Sequence, residues 1–214
     1  MYFRRRPEDP YQAAAALREV SSGNREQARA DAHAALKLAP NRDVRVVAAL
    51  ALARAGDTAV AEKLAADLDK TYLLDTLVQR NWLPSIRAAV AMERKNPNRA
   101  IERLKEASAI ELGQATVYLN ILLCPAYVRG EAYLMLHVGK AAAAEFQKFI
   151  DHQGVVLDFP WGALARLGLA RAYAMEENTT KAKMAYQDFL TLWKDADPDI
   201  PIFMAAKAEY AKLK

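Results

Sequence analysis

Five short turn signals recur along this chain, and each one separates two apolar segments of helical length. This alternation predicts five helix–turn–helix units that stack on one another, because a single helical hairpin leaves an apolar side uncovered. In four of the turns an Asn or Asp stands where the second helix should begin, and its side chain can cap the free N–H groups there. The turns are Ser22-Gly23-Asn24, Ala55-Gly56-Asp57, Lys95-Asn96-Pro97, His137-Val138-Gly139 and Glu177-Asn178-Thr179.

Small residues give the same register as the turns. An alanine follows each turn, at Ala28, Ala61, Ala100, Ala142 and Ala182. Twelve residues before each of these alanines lies another small residue, at Ala16, Ala49, Ala88, Gly130 and Ala170. Small side chains at the crossing of two antiparallel helices let the backbones approach closely. The two independent signals therefore predict the same five hairpins.

The combined pattern resembles the tetratricopeptide repeat, a family of helical hairpins with units of about 34 residues. The best match is Leu169-Ala170 with Tyr173, followed by Ala182 and Tyr186. The wider spacing of the later alanines predicts insertions near residues 69–80, 111–124 and 151–160. On this register the units begin near Asp9, Arg42, Asn81, Leu123 and Ala163.

The resemblance implies an all-α fold, a right-handed superhelical solenoid of about five tetratricopeptide-like units over residues 9–196. Residues 1–8, which contain Arg4-Arg5-Arg6, are expected to form a basic tail, and residues 197–214 a C-terminal capping helix. The run from Trp161 to Pro198 is also similar to the C-terminal repeat region of certain large bacterial signalling proteins. Those proteins place such a region after a serine/threonine kinase or a DNA-binding regulator domain. The sequence itself contains no kinase glycine-rich loop or catalytic loop.

Charge and hydropathy disfavour two classes of partner. The net charge is only +4, from 30 basic and 26 acidic residues, whereas nucleic-acid binding usually needs a clustered basic face. Residues 80–105 are locally more basic, and we interpret them as a solvated helix face. No apolar run reaches the roughly 18 residues that cross a bilayer, and the first residues lack a signal-peptide core. We expect no nucleic acid, no membrane insertion of this segment and a cytoplasmic location, although a piece of a membrane-anchored protein would look the same.

No group of residues has the spacing of a catalytic or metal site. His33, His137 and His152 form no metal-binding motif, and the single cysteine, Cys124, has no basic partner nearby in the sequence. A glycine-rich phosphate loop is also missing. We therefore expect no catalytic residues, no metal and no cofactor, and a protein that is not an enzyme.

The concave face of the stack is the predicted binding surface. In arrays of helical hairpins, the first helix of each unit lines a groove that receives an extended or helical peptide. The groove should include Val46, Leu50, Ala53, Ser85, Ala89 and Leu167, and the predicted partner contacts are Arg87, Met92, Tyr127, Arg129, Glu131, Leu134 and Arg171. The predicted function is a non-catalytic scaffold for a protein or peptide partner, and the narrower resemblance implies the sensing or docking region of a signalling protein.

Three alternatives stay open at this point. Arg87 and Arg129 fall where the repeat usually buries a leucine. Either they point into the groove, or the helices rotate and bury Ile86 and Val90, or Val128, instead. The alanine-rich first units could be too thin alone and pair with a second copy of the chain, giving a homodimer. A small molecule could occupy a cavity lined by Trp82, Met92 and Tyr127.

Overall fold

The computed structural model describes residues 9–113, 123–156 and 159–213, and all regular secondary structure in these ranges is helical. This confirms the all-α class. The basic tail at residues 1–8 and most of the insertion near 111–124 lie outside the described residues. The helices are α1 (Asp9–Ser22), α2 (Arg25–Leu38), α3 (Arg42–Arg54), α4 (Thr58–Thr71), α5 (Leu83–Glu93), α6 (Pro97–Leu104), α7 (Cys124–Met135), α8 (Gly139–Asp151), α9 (Gln153–Val156), α10 (Trp161–Met175), α11 (Thr179–Leu192) and α12 (Pro201–Ala211). A π-helical turn, Val78–Trp82, leads into α5, and a 3-10 turn, Glu106–Ala109, follows α6.

Five antiparallel hairpins form the body of the fold. They pair α1 with α2, α3 with α4, α5 with α6, α7 with α8, and α10 with α11. The first helices of successive hairpins contact one another, and each second helix contacts the first helix of the next hairpin. The first helices begin close to the predicted unit starts, at Asp9, Arg42, Leu83, Cys124 and Trp161.

All five hairpin turns share one backbone geometry. The residue directly before the N-cap of each second helix has a positive φ. These residues are Gly23, Gly56, Lys95, His137 and Glu177. In the α5–α6 turn the Asn96 N–H donates to Ala91 O at 2.9 Å and the Lys95 N–H donates to Met92 O at 2.9 Å. The other four turns repeat this pair of bonds, which satisfies the last carbonyl groups of the first helix.

The predicted Asn and Asp residues occupy the N-cap positions. The Asn96 and Asn178 side chains accept hydrogen bonds from the Arg99 and Lys181 N–H groups at 3.1 Å. Asn24 and Asp57 stand at the N-cap without such a bond, and the Asn24 amide instead donates to Glu19 at 2.8 Å. The turn backbone, rather than the cap side chain, is therefore the feature that every hairpin shares.

The left-handed turn residues generate a stability prediction. We expect Glu177→Gly to raise the free energy of unfolding by about 0.5–1 kcal/mol, because glycine adopts a positive φ without the steric cost that a Cβ carries. Gly56→Ala should lower the free energy of unfolding by about 1 kcal/mol, because alanine adopts the positive φ of this position only with strain. The added Cβ causes no clash, since it meets only Arg25 and Glu93 at ordinary distances, 3.7 and 3.8 Å. Urea unfolding measures both. Glu177→Ala is the control, because it removes the carboxylate but keeps the strained φ, and a gain equal to that of glycine would contradict the explanation.

The small residues at the predicted crossings are buried in all five hairpins. Phe146 shows how closely the helices approach in the C-terminal half. A Cβ added to Gly130 in α7 would lie 2.7 Å from the Phe146 ring, and one added to Gly168 in α10 would lie 2.6 Å from it. The Phe146 ring, which α8 carries, thus fills the space between two glycines on neighbouring first helices. Gly168 lies outside the predicted set of small residues.

This packing predicts that Gly168→Ala destabilises the fold by about 1–3 kcal/mol, because the extra methyl group overlaps a buried ring. The same change should cost less in a Phe146→Leu background, where the overlap is relieved, and a double-mutant cycle on urea unfolding measures the coupling. Gly154→Ala is the matched control, since a Cβ at Gly154 meets nothing within 4 Å. Equal losses at positions 154 and 168 would contradict the packing argument.

The two ends of the array contact each other. The indole N–H of Trp161, at the start of α10, donates to the Ser21 hydroxyl at the end of α1, at 3.2 Å. The C-terminal helix α12 packs on α11 and also contacts α1, where Pro201 lies beside Gly23. The first helices therefore face one another around a shared interior.

This closure corrects the predicted open groove along the first helices. The expected groove residues Val46, Leu50, Ala53, Ser85, Ala89 and Leu167 are each at most 2% exposed. Alanines on α3 and α5 are small enough to let the helices meet, so the concave side becomes part of the hydrophobic core.

Candidate functional site

A cavity of about 760 Å³ remains open where the first helices end. We call it the bowl. Its apolar wall consists of Val20, Ala89, Met92, Leu134, Met135, Ala174 and Met175. Its polar wall consists of Arg25, Arg54, Glu93, Lys95, Glu131, Arg171, Tyr186 and Glu209.

The bowl residues on the first helices share a register. Glu131, Leu134 and Met135 lie one, four and five positions after the crossing residue Gly130, and Arg171, Ala174 and Met175 stand in the same relation to Ala170. Positions at this spacing lie on one face of a helix. The repeat therefore turns equivalent positions of successive hairpins toward one cavity.

Two ion pairs cross the bowl and join hairpins that are not neighbours in the chain. Arg54 of the second hairpin donates two hydrogen bonds to Glu131 of the fourth, at 2.7 and 2.9 Å. Arg25 of the first hairpin pairs with Glu93 of the third at 2.6 and 3.0 Å. The Arg54 side chain is only 14% exposed, whereas that of Arg25 is 52% exposed. The Arg54–Glu131 pair is thus the more strongly held of the two, because water screens it less.

A third pair ties α12 to the bowl. Arg171 donates two hydrogen bonds to Glu209, both at 2.9 Å, and the Tyr186 hydroxyl donates a further bond at 2.9 Å. Burial opposes the charge on Glu209, but the hydrogen bonds and charge of Arg171 outweigh it and lower the pKa of this carboxyl below its ordinary value. Burial, together with the Glu209 charge, raises the pKa of Tyr186, so its hydroxyl stays protonated and able to donate.

The lowered pKa of Glu209 predicts a stability loss in acid. The Glu209 carboxyl binds protons less readily in the folded chain than in the unfolded chain. Its contribution to the free energy of unfolding is therefore complete above the ordinary pKa of 4.5, and it is lost as the pH falls through the lower pKa of the folded state. Glu209→Gln should cost about 1–2 kcal/mol at neutral pH. It should cost less below pH 4.5, as measured by urea unfolding across pH. Glu177→Gln is a control on an exposed carboxyl, and a Glu209→Gln cost that does not change with pH would contradict the assignment.

An aromatic cluster centred on Tyr127 packs against the bowl residue Arg54. The Tyr127 ring stacks on Trp161 at 5.3 Å and meets Phe146 and Phe149 edge-on, at 5.7 and 5.8 Å. The Arg54 guanidinium lies 5.4 Å from the ring centre of Tyr127. Burial raises the pKa of Tyr127, so the phenol is neutral. Tyr127 therefore contacts the bowl through Arg54 and is not among the residues that line it.

Four of the seven predicted partner-contact residues line the bowl: Met92, Glu131, Leu134 and Arg171. Of the two placements left open for Arg129, in the groove or turned away from it, the structure shows the second. Arg129 lies 4% exposed on the other side of α7, held by Glu111 and Glu145. Val128 is fully buried, as expected for the alternative in which the helix is rotated.

The same alternative was open for Arg87, and the structure again shows the arginine turned away from the first-helix side. Arg87 faces α4, where it pairs with Asp69 at 2.6 Å, while Ile86 is fully buried. The cavity predicted between Trp82, Met92 and Tyr127 also needs correction. Trp82 is 1% exposed and lies under the Arg42 guanidinium, away from the bowl.

Several bowl residues were not predicted. Glu93 lies five positions after Ala88 and could have been found by extending the register of Met135 and Met175. Arg25 and Glu209 belong to α2 and α12, outside the first helices, so no periodic signal in the sequence points to them. Only the contact between the two ends of the array brings these two residues to the bowl.

The thiol of Cys124 is buried, and its burial raises the pKa to about 12, so the thiol is protonated at neutral pH. Within residues 9–113, 123–156 and 159–213, no three His, Cys, Asp or Glu side chains are grouped closely enough to hold a metal ion. None of the helices in these ranges has the length and apolar character needed to span a membrane.

No protein-family model matches the chain, and no curated protein matches it.

Proposed function

We propose that this chain is a tetratricopeptide-like helical array that acts as a non-catalytic binding module, with the bowl as its binding site. The shared turn geometry, the buried small residues at each crossing and the contacts between successive hairpins support the repeat assignment. In this proposal the five hairpins form a right-handed superhelix tight enough for its ends to meet.

The proposed ligand is a short segment of a partner protein, such as a chain end or a protruding turn. The buried concave side leaves no path for a long peptide, and the bowl has room for a few side chains only. The partly exposed Met135 and Met175 offer apolar contacts that adapt to different shapes. Lys95 and the Arg54–Glu131 ion pair give the wall polar groups, which suit the mixed polar and apolar surface of a peptide. The single observation that carries the proposal is the convergence of equivalent helix positions on one cavity.

A small polar molecule is a second candidate, because the volume of the bowl falls within the range of about 300–1,000 Å³ that such ligands occupy. Native mass spectrometry of the purified protein separates the two candidates and also reports self-association. A stoichiometric small adduct that leaves on unfolding would favour the small molecule. A mass of two chains across dilutions would favour the homodimer.

The test of the proposal compares two matched double variants. Met135→Asp/Met175→Asp places charges on the apolar wall of the bowl, where the two methionines are 40% and 38% exposed. Met184→Asp/Met204→Asp makes the same change at methionines outside the bowl that are 60% and 50% exposed. Peptides are first selected from a display library with the unmodified chain. We expect the bowl variant to bind them at least about tenfold more weakly, and the control variant to bind as the unmodified chain does.

Far-ultraviolet circular dichroism shows whether both variants keep their helix content. Selection of no peptide, or equal binding by both variants, would overturn the bowl as the peptide site. The narrower expectation, that the module is the sensing or docking region of a signalling protein, stays a prediction.

A further inference from the structure

A second concave surface lies on the outer side of the array, between α4, α5 and α6. It has a volume of about 240 Å³, and four arginines line it, Arg87, Arg94, Arg99 and Arg103. We call it the arginine groove. Val90 and Ala91 of α5 form its apolar floor, while α4 and α6 form its walls. It shares no lining residue with the bowl.

The arginine groove has a surplus of positive charge. Arg87 pairs with Asp69 at 2.6 Å, and Arg94 pairs with Glu62 at 2.7 Å. Arg99 and Arg103 are exposed, and neither forms an ion pair with any residue that the structure describes. Four guanidinium groups therefore face two carboxylates, which leaves two charges that a ligand could neutralise.

The next hairpin shows what fills such a position. Arg129 directly precedes the crossing residue Gly130, as Arg87 directly precedes Ala88, so the two arginines are equivalent in the repeat. Glu111, which follows α6 in the chain, accepts two hydrogen bonds from Arg129 at 2.7 and 2.8 Å. The Arg129 and Glu111 side chains are 5% and 1% exposed. In both hairpins an acidic residue that follows the crossing of the preceding unit therefore pairs with this arginine, Asp69 with Arg87 and Glu111 with Arg129.

One difference keeps the arginine groove open. Glu145 follows the crossing residue Ala142 by three positions and helps hold Arg129, whereas the equivalent residue after Ala100 is Arg103. The charge at this position is reversed, so the groove lacks the second internal carboxylate. Accordingly, the Arg87 side chain remains 37% exposed.

We propose that the arginine groove binds an acidic segment of a partner protein, whose Asp or Glu side chains pair with Arg99 and Arg103. The seating of Glu111 on Arg129 supplies the precedent for this chemistry. Guanidinium groups suit carboxylates because they bind both oxygens in parallel, and clusters of arginines are a recurrent means of recognising acidic motifs. This site is independent of the function proposed for the bowl.

The test uses a fluorescein-labelled poly-glutamate peptide as the probe, with fluorescence polarisation on the full chain. We expect the unmodified chain to bind the peptide, and binding to weaken as salt rises. Arg99→Glu/Arg103→Glu should weaken binding by about tenfold or more, since both attractive charges become repulsive. Arg99→Gln/Arg103→Gln should cause a smaller loss, and this milder variant tests the same two side chains if the charge-reversed variant fails to fold.

The matched control is Lys140→Glu/Lys181→Glu, which makes the same change in net charge on α8 and α11, outside the arginine groove. Its binding should stay within about twofold of the unmodified chain. Equal losses in the control and groove variants would mean that net charge alone attracts the peptide, and would overturn the proposal. So would poly-glutamate binding no tighter than that of a glycine–serine peptide, or a DNA duplex binding more tightly than poly-glutamate at the same salt concentration.

Discussion

The close crossing of antiparallel helices at alanine and glycine determines the rest of this structure. Every hairpin carries a small residue at the crossing on both of its helices, and these residues are buried. Small side chains there let the backbones approach, and a large ring such as Phe146 then fits only where glycines face it. Because the crossing recurs at one register, the first helices all turn the same face to the interior. The four buried alanines of α3 let its neighbours approach, and the interior closes.

Closure changes what the concave side can do. Contacts between Trp161 and Ser21, and between Pro201 and Gly23, bring the ends of the array together and convert most of the concave face into core. The ion pairs from Arg25 and Arg54 then reach hairpins two positions along the chain. The exposed Arg25–Glu93 pair contributes little stability, and the more buried Arg54–Glu131 pair must offset the cost of removing its charges from water. Apolar burial therefore drives the closure, and the ion pairs fix the orientation of the walls. What remains accessible on this side is the bowl at the helix ends.

Arg87 and Arg129 show that equal positions in a repeat need not have equal roles. Both directly precede a crossing residue, and both point away from the bowl. Arg129 is buried because Glu111 and Glu145 reach it, while Arg87 stays partly exposed because Arg103 stands where Glu145 would be. The environment of each arginine is set by the neighbouring helix and by the segment that follows it. Register alone therefore located these side chains on their helices but left open which surface they serve.

The sequence alone determined the helical class, the five hairpins, the turn positions and the crossing residues such as Ala88 and Ala100. These follow from local periodicity, turn chemistry and the need of each hairpin for a neighbour. It also placed Met92, Glu131, Leu134 and Arg171 on the inward side, because one helix face carries them. Only the tertiary structure decided that the array closes, since closure depends on contacts between residues as distant as Ser21 and Trp161. The tertiary structure alone also brought Arg25 and Glu209 to the bowl and filled the expected groove. The distance between the two ends of the array depends on how small differences in packing accumulate over five crossings, and no local pattern in the sequence records that sum.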